Sequence, residues 1–495
     1  MASIHKTKTA SGATAVQVVR YVDRRVEVLK HLGSAHDKRS LERLMDQAKV
    51  WYTKNCDDNT LFADNYTGPL VREGTEFVGA LHTLAYSTLR KVAEYCNLEL
   101  LGDRLLLDLA IIRLIEPTSK LRSLQLLEEY FDVRHARSTL YKRMEAMVQR
   151  KTQVEEIAVG YAKEKLKDGL TMVLYDVTTL YFESFTADEL RKPGSSKDNM
   201  HQQPQVVVGL LVTRKGFPLG YEVFAGNTFE GKTMLPVLDA FVAKHGVETP
   251  TVVADAAMLS NNLLKELQER KMSYIVAARL ASSFEEVVEQ VCKRKVKRDG
   301  RTVRVASPHG DMVCSYSAKR YRKDKVMHEK DIAKAQLLIG KGEPGRRAKF
   351  IKGGKKGYVL DKDRVRRAKR LLGIKGYCTN IPKQKLDDRS VIARYHDLWH
   401  VEKAFRIAKS DLAARPIFHR AGTAVRTHLL ICFVALIMAR VIETRTSLSL
   451  RNLIDLLWTV TDATLYHPQT KERITIRSHI PWMLSRSCVN SEMSY

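Results

Sequence analysis

Three acidic residues stand where a carboxylate is either costly or purposeful. Asp176 interrupts "TMVLYDVTTLYFES" (171–184), a run otherwise dominated by β-branched, aromatic and apolar residues, the composition of a buried strand. Side chains alternate along a strand, so Asp176 shares its side with Leu174, Thr178 and Leu180. A carboxylate there is expensive unless a cation pairs with it or a metal sits on it. Asp255 ends the apolar run "PTVVAD" (250–255), at the carboxyl edge of a strand, where open α/β sheets place ligand sites. Placed before "AAMLSNN", it suits a helix cap equally well. Glu402 lies in "YHDLWHVEKAFRIAKSDL" (395–412). At about 100° per residue, Leu398, Val401, Phe405, Ala408 and Leu412 form an apolar face. Tyr395, Trp399, Glu402, Arg406 and Lys409 form the neighbouring stripe. That stripe is the rim of a site, or it is a solvated face with Glu402 and Arg406 as an i, i+4 ion pair.

The elements that must position these residues follow from the patterning. Strand-like runs at 171–183, 205–213, 217–225, 250–255 and 273–280 are interleaved with helical stretches at 233–244 and 261–271, which predicts a mixed α/β sheet. "KGYCTNI" (375–381) reads as one more strand, followed by a helix over 388–413 and an apolar helix over 426–442. Residues 1–165 read as an all-α domain, with "RLLLDLAIIRLIEP" (104–117) closed by Pro117. Within it, 123–147 has the outline of two helices joined by a basic turn, with Ser138 as N-cap of the second. That outline fits a helix-turn-helix reader of a DNA major groove and any small helical bundle alike. The expected boundaries are 1–165, a core of 166–285 with 376–445, an insertion over 286–375, and a C-terminal helical tail over 446–495.

Charge narrows the partner. The chain has 495 residues and a net charge of +27, more than solubility requires, which points to a polyanion and first to nucleic acid. Residues 293–375 alone carry 28 Lys and Arg against 8 Asp and Glu, a net of +20. Gly-rich breaks and short alternating runs such as "TVRVAS" make this segment a basic β-rich insertion whose natural partner is a phosphate backbone. The seven cysteines form no C-x-x-C pair, as in a reducing cytosol. The N-terminus has no apolar h-region, and the most apolar run, 429–439, is shorter than a bilayer span and reads as a core helix. The expectation is a cytoplasmic, soluble protein. His396 and His400 are spaced i, i+4, but the glutamate that zinc helices place after the first His is replaced by Asp397, so they read as surface or DNA-facing. No G-x4-G-K-[ST] motif occurs, so no ATP requirement is expected.

Asp176 in "YDVTTLYFES", Asp255 in "VVADAAMLS" and Glu402 within Y-x2-L-x3-E-x6-K together resemble the DDE transposases of bacterial insertion sequences, in particular the group marked by Y-x2-R-x3-E-x6-K. "QVVVGLLVTRKGFPLGYEVFAGN" (205–227) and "RPIFHRAGTAVRTHLLICFVAL" (415–436) resemble that group too, so the likeness covers about 166–442 and lapses only at the basic segment. It implies a ribonuclease-H-like fold in which Asp176, Asp255 and Glu402 are catalytic and hold two Mg²⁺ (or Mn²⁺) ions about 4 Å apart. Tyr395, Arg406 and Lys409 are then expected at DNA phosphates. The implied partners are the terminal inverted repeats and target DNA, bound by a homodimer acting in the bacterial nucleoid. Leu398 stands where the signature has Arg, which puts that residue's DNA contact in question; Trp399 and Arg406 are the candidates to substitute. A catalytically silent DNA-binding relic and a plain nuclease remain the alternatives.

Overall fold

The computed structural model describes residues 2–9, 12–22, 25–56, 75–196, 200, 202–247, 250–256, 260–294, 297–341, 349–354, 357–481 and 484. The chain divides into two compact units, Met1–Val78 with Leu465–Ile474, and Gly79–Thr464 with Thr475–Tyr495.

The first unit opens on strands: β1 (Ala2–Lys8), β2 (Thr14–Val22) and β3 (Arg25–Ala35) form an antiparallel sheet in that order. Helix α1 (Lys38–Cys56) packs on it, and Val16, Val18 and Ala48 make a small core ringed by Ile4, Leu29 and Leu44. This corrects the expectation of an all-α stretch over 1–165. "TAVQVVRYV" is rich in β-branched residues, whose restricted χ1 favours strands, and that local preference holds here. Strand β4 (Glu76–Leu81) follows.

The second unit begins with α2 (Thr83–Tyr95), α3 (Arg104–Ile115), α4 (Lys120–Phe131), α5 (Arg137–Gln149) and α6 (Lys151–Glu164). Helix α3 ends at Ile115, just before Pro117, and is buried from Leu105 to Ile115. The hairpin expected over 123–147 is α4 and α5, but the N-cap of α5 is Ala136, and Ser138 lies in the first turn instead. All five helices contribute to the same apolar core as the sheet that follows, so they are part of that body and not of a separate N-terminal domain.

The sheet grows from β5 (Met172–Tyr181), β6 (Gln205–Thr213) and β7 (Pro218–Ala225), paired antiparallel. Strand β6 is buried at every position, so both faces of the sheet are covered. After α7 (Met234–His245) come β8 (Thr251–Ala254), α8 (Asn261–Glu269) and β9 (Tyr274–Ala278), with β8 parallel to β5 and β9 parallel to β8. Helix α9 (Glu285–Lys293) leads into the basic segment.

That segment is not the β-rich insertion its short alternating runs suggest. Strands β10 (Thr302–Ser307) and β11 (Gly310–Tyr316) form as expected, but they extend the central sheet. The largest element is α10 (Ala318–Gly340), a 23-residue helix, followed by the short pair β12 (Ile351–Gly354) and β13 (Gly357–Leu360) and by α11 (Lys362–Arg370). The Lys, Arg, Ala and Leu that dominate α10 are good helix formers, and reading their abundance only as charge hid that. Strand β14 (Ile374–Thr379) closes an eight-stranded sheet in the order β10-β11-β14-β9-β8-β5-β6-β7.

The helix expected over 388–413 is broken. Helix α12 (Asp388–His396) stops at Asp397, whose carboxylate is held by Arg214 at 2.8 Å, and α13 (Trp399–Arg406) begins two residues later. A π-helical turn, Ile407–Asp411, ends the run. Helix α14 (Gly422–Thr446) is longer than the apolar run that announced it, long enough by length and composition to cross a membrane. It is buried at every residue from Thr427 to Ile442 and packs along α3, so its all-round apolarity is that of a core helix. Helix α15 (Leu450–Trp458) is followed by β15 (Asp462–Tyr466) and β16 (Arg473–Arg477), so the described part of the C-terminal tail is not all helical.

Candidate active site

The first two carboxylates are brought together by strand register. Strands β5 and β8 pair in parallel with Met172 opposite Thr251, Val173 opposite Val252 and Leu174 opposite Val253. Carried on two residues past its last pair, the same register would bring Asp176 level with Asp255, since parallel strands run about 4.8 Å apart with register neighbours on one face. Asp176 is half-buried among buried neighbours, and Asp255, the first residue beyond β8, is exposed. The Tyr175 hydroxyl donates to Thr233 at 2.9 Å and lies where a Cβ on Gly209, the β6 residue opposite Val177, would sit, so a side chain there would displace the tyrosine.

Asp255 is gripped from α12. The Tyr395 hydroxyl donates to its Oδ1 at 2.8 Å. Burial, and then the bond to Asp255, push the Tyr395 pKa well above that of a free phenol, so this proton stays in place at any physiological pH. Lys375 of β14 lies 4.3 Å from the centre of the Tyr395 ring and 5.3 Å from that of Tyr377, while the two tyrosine rings are 4.9 Å apart. Burial and the neighbouring Arg320 lower the Lys375 pKa, opposed by the negative charges of Asp255 and Glu402. Lys375 therefore sits within electrostatic reach of both carboxylates. Neither "KMSYIVAARL" nor "IKGYCT" suggests a site residue by its motif. Like Asp176, however, Lys375 is a charge inside a buried strand, and that was the signal by which it could have been found.

Glu402 is exposed on α13, whose Val401, Ala404 and Phe405 are buried against β5 and β6. Of the apolar face expected at Leu398, Val401, Phe405, Ala408 and Leu412, all are buried except Ala408, which is half-buried. The stripe beside it does not keep to one environment. Tyr395 is buried, Trp399, Glu402 and Arg406 are exposed, and Lys409 is half-buried in the π-helical turn. The break after His396 and the π turn each rotate the residues beyond them, which a uniform helix does not allow for. Leu398 is 6% exposed, a core residue at the position where the signature has Arg.

Among the described residues, no group of three or more His, Cys, Asp or Glu side chains stands close enough to hold a metal ion. Asp176 and Asp255 follow the last β5–β8 pair by two residues on either strand, and Glu402 does not join them in one cluster. Carboxylates brought together without positive charge repel one another, and here Lys375 supplies that charge beside Asp255 and Glu402. The donors themselves are hard oxygens, the set that suits Mg²⁺ or Mn²⁺.

A family model described as a transposase DDE domain matches residues 168–438. Among curated proteins nothing matches. Of the solved structures, the cryo-EM structure of a piggyBac transposase synaptic complex with hairpin DNA is similar at a TM-score of 0.35 and 10% identity, over 69% of this chain and 62% of that one. The Mos1 transposase paired-end complex with left transposon end is similar at a TM-score of 0.16 and 10% identity, over 48% of this chain and 66% of that one. This chain thus spans less than two thirds of the length of either.

Proposed function

The chain belongs to the transposase DDE domain family, and from that premise we propose that it cuts DNA at the ends of a mobile element and joins the freed 3′-hydroxyls to target DNA. The observation that carries the reading is the β5–β8 register, which, continued two residues past its last pair, would bring Asp176 level with Asp255, with Glu402 on a helix packed against β5. The strand order β7-β6-β5-β8-β9, three antiparallel strands and then two parallel ones, supports a ribonuclease-H-like core extended at its far edge by β14, β11 and β10.

Asp176 and Asp255 would hold divalent cations, Mg²⁺ or Mn²⁺, only together with a Glu402 drawn in from where it now stands apart, since the three do not form one cluster; the ions would supply activation of the attacking oxygen and stabilisation of the leaving one. The chain's own groups do the rest. Tyr395 fixes the rotamer of Asp255 through its hydroxyl, which gives it an orienting role; contact with DNA through the same hydroxyl would cost the Asp255 bond. Arg406, exposed one turn beyond Glu402, and the half-buried Lys409 would meet phosphates beside the cut. Helix α5 presents exposed Arg137, Tyr141 and Lys142 for reading the element end, and the basic segment 293–375 supplies grip independent of sequence. Two copies pairing two ends, and no nucleotide cofactor, complete the proposal, since transesterification keeps the energy of the broken phosphodiester.

The test is a reaction of the protein with the terminal repeats of its element, Mg²⁺ and a plasmid target. Asp176→Ala, Asp255→Ala and Glu402→Ala should each lower cleavage by a factor on the order of a thousand while end binding stays near that of the wild type. Cleavage by the Glu402→Ala protein at the wild-type rate would sink the assignment. Cutting without joining would make the protein a nuclease of the same family.

A further inference from the structure

We propose that the cavity beside Asp255 is a subsite for a single backbone phosphate of the bound DNA strand, held by Arg320 and Lys375 with Arg279 at its rim. The inference rests on the DNA-processing reading above and deepens it, because it ties two residues of the basic segment, Arg320 and Lys375, to one position on the substrate.

The cavity holds about 450 Å³, within the range of sites that take small ligands. It opens at the edge of the sheet where β9 ends and β14 begins, and is walled by α10 and by Tyr395. Its floor is apolar, with Leu280, Leu371 and Leu372 all buried, and a low-dielectric floor strengthens any ionic contact made above it. Three cations face two carboxylates across this space, and both carboxylates already have partners on the protein. Asp255 accepts from Tyr395 at 2.8 Å. Asp324 takes the Arg320 guanidinium at 3.3 Å and the backbone N–H of Gly373 at 3.1 Å.

Lys375 and Arg320 line the same cavity; besides burial, Arg320 is the charge that acts most against the Lys375 ammonium, while Asp255 and Glu402 act for it. A monoanion between them relieves that repulsion. DNA offers one such charge per nucleotide along each strand, and a nucleotide following the strand that passes Asp255 would bring its phosphate here. Arg320 lies in the first turn of α10, so the long helix of the basic segment delivers a cation to the catalytic edge as well as to open solvent.

The experiment uses the full-length protein and short duplexes of the element's terminal repeat. In each duplex one phosphate near the cut is replaced by an uncharged methylphosphonate. For wild-type protein, one position should weaken binding about tenfold. Arg320→Gln should lose about the same on unmodified DNA and lose nothing further on that one duplex, the non-additivity of a shared contact. Lys375→Gln should behave alike. Because Arg320 is exposed, its replacement does not threaten the fold, and thermal melting checks this. If the losses from Arg320→Gln and from every methylphosphonate multiply independently, Arg320 meets no phosphate there and the subsite is wrong. If wild-type protein ignores the terminal repeat altogether, the functional reading itself fails and the subsite falls with it.

Discussion

Tyr395 has two roles open to it, and they predict different phenotypes. If its hydroxyl orients Asp255, as the 2.8 Å bond indicates, Tyr395→Phe removes a hydrogen bond to a charged group, about 1.5–3 kcal/mol. Cleavage should then fall about tenfold to a hundredfold while affinity for element ends is unchanged. Were the residue a phosphate contact, affinity would fall first, so a binding isotherm beside a cleavage rate separates the two. Lys120 makes a different residue-scale prediction. It is buried at the start of α4, bonded to His419 and to the carbonyl of Ala424, with Arg113 nearby. Burial lowers its pKa to about 7, with the charge of Arg113 acting in the same direction. The unfolded chain keeps that proton to about pH 10.4, so the lysine costs stability most at and below pH 7, and the cost fades as the pH rises towards 10. Lys120→Met should therefore raise the melting temperature clearly at pH 7 and little at pH 10. An equal rise at both would mean that packing, and not charge, is responsible.

At the scale of elements, α11 and α13 were the least and the most legible. Helix α13 was readable because its apolar spacing is regular, and Val401 and Phe405 are buried where the period puts them. What lay outside the reading was the break at Asp397, which Arg214 anchors from the β6–β7 turn, 183 residues away in sequence; no local pattern announces such a partner. Helix α11 shows the reverse. Its "KDRVRRAKR" displays charge plainly, and the charge concealed a helix capped by Asp361, whose side chain accepts from the N–H of Arg364. Lys362, Arg366 and Lys369 are exposed on it. Changing all three to Gln should flatten the salt dependence of DNA binding by up to about 3 units of slope and weaken element ends and random DNA alike. An unchanged slope would take α11 off the DNA-binding surface.

At the scale of the whole molecule, the helices from α2 to α6 cannot be treated as a detachable reading head. They share one apolar core with the sheet and α14: Leu106, Leu107, Ile111 and Ile112 of α3 are buried in the same cluster as Leu436 and Ile437. A fragment comprising residues 1–165 strips α3 of α14 and exposes that surface to water, at roughly 25 cal/mol for each Å². It should therefore aggregate or melt without a cooperative transition, whereas the full chain should unfold cooperatively. A well-folded 1–165 fragment, shown by dispersed amide signals and a sharp melt, would mean that these helices do not need α14. Recognition of element ends by α5 is accordingly better tested by substitutions at Arg137 and Lys142 in the intact protein.

Sequence by itself determined the parts whose information is local. These are the strand around Asp176, the strand that ends at Asp255, the apolar face under Glu402, the core helix around 429–439 and the concentration of positive charge in 293–375. Each follows from the preferences and periodicity of about ten consecutive residues, which need no partner to be read. Tertiary structure decided what those parts meet. The β5–β8 register aligns Leu174 with Val253 across 79 positions of sequence, Tyr395 reaches Asp255 from 140 residues away, and Lys375 enters from the far end of the basic segment within electrostatic reach of two carboxylates. The same segment's hairpin, β10–β11, joins the central sheet through β14 where its sequence allowed a separate domain. Hydrogen-bond register and side-chain contact between distant segments depend on the energy of the whole packed core, and no single stretch of the chain contains it.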